Sequence, residues 1–87
     1  MNEGKLREEK ERGVKAKRLL DDPLLEEAFG AVKESIQATF NHIENPTHDD
    51  LMRLYMMNKA VDKVKAVLER HIRTGEMAVK VLTSETY

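Results

Sequence analysis

Residues 17–29 read KRLLDDPLLEEAF, and the fold turns on whether this stretch is a recognition motif or helix punctuation. Pro23 lacks an amide proton and restrains Asp22 away from helical backbone, so a helix arriving through Leu19 and Leu20 must stop here. The same ring suits the first position of a new helix. Asp22 is then the N-cap, and Glu26 and Glu27 fall in the first turn, where the positive end of the helix dipole favours acids. The acidic residues of DDPLLEE therefore have local structural uses. The stretch reads as punctuation between two helices.

Downstream, Leu25, Phe29, Val32, Ile36, Phe40 and Ile43 recur at three- and four-residue steps. At about 100° per residue they fall within an arc of roughly 80°, with Lys33, Glu34, Gln37 and Asn41 on the opposite side. This predicts a helix from Pro23 to about Ile43. Asn45-Pro46 breaks it. Thr47 is a good N-cap, and Asp50, three residues on, completes an Asp variant of the capping box. A third helix is predicted from His48 to about Thr74, with a main apolar stripe of Leu54, Met57, Val61, Val64, Leu68 and Ile72. Met52, Met56, Ala60 and Val67 form a second stripe beside it. Arg70, His71 and Arg73 suit a last turn, and Gly75 reads as the C-terminal cap.

Upstream, EGKLREEKERGVKAKRLL is rich in helix formers, but Leu6, Val14, Leu19 and Leu20 do not share a face and Gly13 interrupts them. A short helix, frayed before about residue 14, is expected, with a disordered arm as the alternative. The tail EMAVKVLTSETY alternates at Val79 and Val81, which fits a short strand, a docked irregular segment or a helical turn. The organisation expected is a charged arm over 1–13, a helical domain over 14–75 and a tail over 76–87. The fold class is all-α: an antiparallel helical hairpin of about 23–43 and 48–74, a shorter N-terminal helix, and an oligomeric assembly.

The totals narrow the function classes. The chain has 87 residues, enough for one small domain, and no cysteine, so disulfides, thiolate metal sites and thiol nucleophiles are excluded. No apolar run is long enough to cross a bilayer and residues 1–13 hold no hydrophobic signal core, so a soluble protein of the cytoplasm is expected. Net charge is −1 but unevenly placed. Residues 1–18 carry seven bases against four acids, residues 21–50 one base against eight acids, and residues 51–87 seven bases against four acids. The alternation suits self-complementarity better than a nucleic-acid surface, which needs one dominant basic face.

No catalytic constellation is legible. The serines, Ser35 and Ser84, stand in no nucleophile elbow, and His71 has no nucleophile at a recognisable spacing. Adjacent acids such as Asp49/Asp50 diverge by about 100° on a helix and make no dyad. The four glycines are scattered, so there is no phosphate loop. His42, Glu44, His48, Asp49 and Asp50 have metal-ligand chemistry, but the histidines share no i, i+4 face and Asp50 is wanted for capping. No enzyme, cofactor, metal or small-molecule substrate is expected. A basic strip of Lys10, Arg12, Lys15, Lys17 and Arg18 offers nucleic-acid contacts, against which stand the interleaved Glu8, Glu9 and Glu11 and the lack of an aromatic platform.

The apolar inequality is the stronger lead. Helix two can cover one stripe of helix three, and the other needs the N-terminal helix, the tail or another chain. Met52, Tyr55, Met56, Ala60 and Val67 are the expected oligomer interface, methionine being suited to adaptable binding surfaces. AKRLLDDPLLEEAFGAVKESI (16–36) and LERHIRTGEMA (68–78) resemble a group of small proteins encoded by tailed bacteriophages and prophages. The resemblance spans about residues 14–79 and brings no active site. Genes of that group lie near those for virion structure and assembly. It therefore implies a non-enzymatic phage protein of the host cytoplasm or the virion, acting through contacts with itself and with other phage structural proteins. A small nucleic-acid-associated or regulatory factor using the basic N-terminal segment is the alternative.

Overall fold

A single non-helical residue, Asp22, joins the first two helices. Its backbone is extended (φ −73°, ψ 118°), its Oδ1 accepts from the Leu24 amide at 2.9 Å, and Pro23 takes the first helical position. The computed structural model describes residues 2–84, which form α1 (Glu3–Asp21), α2 (Pro23–Asn41) and α3 (His48–Ser84). No strand occurs among the described residues. At α3 the capping box closes both ways. The Asp50 amide donates to Thr47 Oγ1 at 3.1 Å, and the Thr47 amide donates to Asp50 Oδ2 at 2.9 Å. Those hydrogen bonds to Thr47 hold the Asp50 carboxyl below its ordinary value.

The 19 residues of α1 and the 19 of α2 run end to end, antiparallel to the 37 residues of α3. Glu3 and Arg7 lie beside Leu82, Gly13 beside His71 and Gly75, and Phe29 beside Lys65. At about 1.5 Å per residue both sides of this hairpin span roughly 55 Å. The molecule measures 65 × 26 × 15 Å, with a radius of gyration of 18.7 Å. A compact domain of this length would have about 12 Å. The chain is a single layer of helices, extended rather than globular.

Three expectations are corrected. First, α1 is not frayed to residue 14, and residues 3–13 are no disordered arm. The helix starts at Glu3, where Asn2 Oδ1 accepts from the Lys5 amide at 3.1 Å. Second, α3 does not stop at Thr74: it passes through Gly75 to Ser84, so residues 76–84 are helix and not a separate tail. Residues 85–87 of the expected tail lie outside the described residues. Both corrections have one cause. Gly13 and Gly75 are buried against each other, and a Cβ on Gly13 would stand 2.9 Å from the His71 carbonyl oxygen and 3.0 Å from the Gly75 Cα. These glycines are neither interruption nor cap. They let two helix backbones touch, with Ala16 and Ala78 buried one turn on.

Third, the inner stripe of α3 differs. Leu54, Val61 and Leu68 face inward as expected, but Met57 (45% exposed) and Val64 (52% exposed) do not. Asn58 and Lys65 take the inner positions. Asn58 satisfies its amide by donating to the Leu54 carbonyl at 3.1 Å, and Lys65 places its ammonium 5.0 Å from the Phe29 ring centroid. On α2, Ile36 is buried and Leu25, Phe29 and Phe40 are half-buried, whereas Val32 is 47% exposed; the helix ends at Asn41, so Ile43, also half-buried, lies in the connection to α3 and not on the helix expected to reach it. Among the described residues the ion pair between the helices joins Lys33 on α2 to Asp62 on α3 at 2.6 Å.

Candidate functional site

The five residues expected at an oligomer interface lie on α3, and four of them face solvent. Met52 is 44% exposed, Tyr55 58% and Met56 63%; Ala60 is exposed and Val67 half-buried. At about 100° per residue they span an arc of roughly 140°, so they wrap the back of α3 and do not line up as one strip. Tyr55 stacks under its own helix neighbour, with the Lys59 ammonium 5.4 Å from the ring centroid. This tethers the ring to the charged side of α3.

Other apolar groups are exposed that the sequence reading placed inside or passed over. Leu24 and Val32 on α2, and Leu51, Met57, Val64 and Met77 on α3, are all exposed. Among the described residues no large side chain is fully buried, and the buried apolar residues are Ala16, Ile36 and Ala78. The total accessible surface is 7048 Å². A compact 10 kDa chain would present roughly 5,200 Å², so this one carries an excess of roughly 1,800 Å².

The basic residues Lys10, Arg12, Lys15, Lys17 and Arg18 are all exposed on α1. Arg12 is engaged by Glu8 at 3.0 Å. The five directions spread over roughly 220° of the helix at about 100° per residue, so α1 presents no single cationic face. Lys10 and Lys17 border a shallow groove floored by Val14, Ile72 and Val79, which opens where the glycines draw α1 and α3 together. Of the metal-ligand types around the α2–α3 connection, Asp50 is committed to Thr47, and no group of three or more His, Asp or Glu side chains converges among the described residues. Among the described residues, no helix is long and apolar enough to cross a membrane.

No protein-family model matches the chain, and neither a curated protein nor a solved structure matches it.

Proposed function

We propose that this chain is a non-catalytic, self-associating helical protein that acts through protein–protein contacts in phage virion assembly or as a minor virion component. One observation carries the first half of that reading. A single layer of helices leaves roughly 1,800 Å² more surface exposed than a compact chain of its mass, and much of its apolar surface is unpaired. Single exposed apolar residues are ordinary, but a half-built core calls for a second layer. An obligate partner of the kind that completes such a core buries about 2,000–5,000 Å² over both chains, which this excess can supply. The phage setting, with other structural proteins as partners and the host cytoplasm as location, is supported by the sequence resemblance alone.

Sedimentation equilibrium of the purified chain tests the self-association. A mass that is a multiple of 10.0 kDa at about 10 μM is expected. A chain that stays at 10.0 kDa under those conditions removes the reading. The setting is tested separately, by mass spectrometry of particles released when the encoding genome is induced; a chain absent from both particles and assembly intermediates argues against it.

A further inference from the structure

We infer that the interface between copies is the uncharged stretch beyond Arg53 along one edge of the α2–α3 pair, and that a second copy of this chain covers it with the same face. The inference rests on the self-association proposed above and deepens it by naming the surface. It starts from a periodicity. Five turns of α-helix are 18 residues, so positions 18 apart on α3 point the same way. Gly75, Ala78 and Leu82, which α1 covers, repeat in this manner as Met57, Ala60 and Val64. The edge of α3 that α1 seals in its second half is therefore bare in its first half, where α1 has ended at Asp21. The bare strip is a continuation of an existing helix–helix interface.

The second helix of the pair carries the same face. Lys33 leaves α2 on the edge where it meets Asp62, which marks that edge as the charged one. Around α2 the opposite edge holds Leu24, Ala28, Val32, Ser35 and Thr39, all exposed and none charged. Neighbouring edges of an antiparallel pair lie side by side, so this strip and Met57-Ala60-Val64 make one surface. Arg53, exposed one turn before Met57 on the same edge of α3, bounds this surface, and the eight positions beyond it hold no charge.

The chemistry of the face selects its occupant. With Arg53 standing only at its end, the face offers little to phosphates or an ionic peptide. Small residues on α2 and at Ala60 let another helix approach closely, and apolar Val32, Met57 and Val64 supply the burial. A face with these properties is complementary to itself, as a two-fold contact requires. Two copies joined this way place α2 and α3 of each chain around a shared core, a four-helix arrangement, with the α1–α3 ends projecting from it.

Glutamate substitutions on this face and off it, read by sedimentation equilibrium with helix content followed by circular dichroism, provide the test. Val64→Glu on α3 and Ala28→Glu on α2 each raise the dissociation constant at least about 100-fold, because the contact would bury a carboxylate without a partner. Both positions are exposed in the single chain, so helix content stays near that of the parent. Met52→Glu, on the back of α3, changes the constant less than about threefold, as rim and surface positions do. Should Met52→Glu dissociate the assembly while Val64→Glu and Ala28→Glu leave it intact, the face is wrong though self-association stands. A wild-type chain that is monomeric overturns both.

Discussion

Where Gly13 meets Gly75, each added methyl has a backbone in its way rather than a side chain that could rotate aside. A Cβ on Gly75 would lie 3.0 Å from the Glu9 carbonyl oxygen and 3.0 Å from the Gly13 Cα. Helix propensity alone favours Ala over Gly by about 1 kcal/mol, but overpacking a tight contact costs about 1–3 kcal/mol. The steric term acts on two rigid helices at once, so Gly13→Ala and Gly75→Ala are expected to lower stability. Gly30 is the control, since nothing lies within 4 Å of a Cβ there. Gly30→Ala should gain about 0.5–1 kcal/mol, a rise of several degrees in Tm for a chain of this size. Thermal melts of the three variants check this; a Gly13→Ala chain more stable than its parent would dismiss the backbone contact. This contact was not legible in the sequence. A glycine's local signal is helix weakening, and the residue that explains Gly13 stands far along the chain, beyond any local window.

The helix boundaries, in contrast, were legible wherever a cap is local. Asp22 with Pro23, and Thr47 with Asp50, are short-range devices whose partners lie two to three residues away. At the start of α1 the Asn2 side chain caps the helix in the same short-range way, whereas the lack of a shared apolar face and the presence of Gly13 had made that helix look frayed. On α3, hydrophobicity alone makes Met57 and Val64 more internal than Asn58 and Lys65. Packing against a single neighbouring helix decided otherwise. Two tests belong at this scale. Thr47→Ala should cost about 0.5–2 kcal/mol, read in urea melts. The second is pH dependence. Asp50 has its carboxyl lowered by the hydrogen bonds to Thr47, and Asp62 has its own lowered by the hydrogen bond from Lys33. A lowered folded value means that the contribution is full above the unfolded carboxylate value of 3.8 and is lost as pH falls through the folded one. Asp50→Asn should therefore lose less stability than the parent between about pH 5 and pH 2. An identical acid limb in both chains would show that this carboxylate adds nothing to the cap.

At the scale of the whole molecule, the all-helical hairpin followed from periodicity and turn residues, while its length and thinness did not. Two halves of one side, α1 and α2, were needed to match α3, and that became visible only once α3 was seen to run 37 residues. The surface excess has the same origin. Leu25, Phe29, Ile36 and Phe40 announced a buried stripe in the sequence, yet a single facing helix leaves most of them only half-covered.

The 18-residue echo on α3 carries one more implication, for what α1 does when it is taken away. Deleting residues 1–21 would strip the cover from Gly75, Ala78 and Leu82 and join them to Met57, Ala60 and Val64. The result is a largely apolar ribbon about 38 Å long at about 1.5 Å per residue, with His71 its polar interruption. Exposed apolar ribbons of that extent drive indiscriminate clumping. The shortened chain is expected to form heterogeneous large species by size-exclusion chromatography where the parent gives one defined peak. On that account α1 is less a limb of the fold than its stopper, ending the sticky ribbon where a single twin can match what is left.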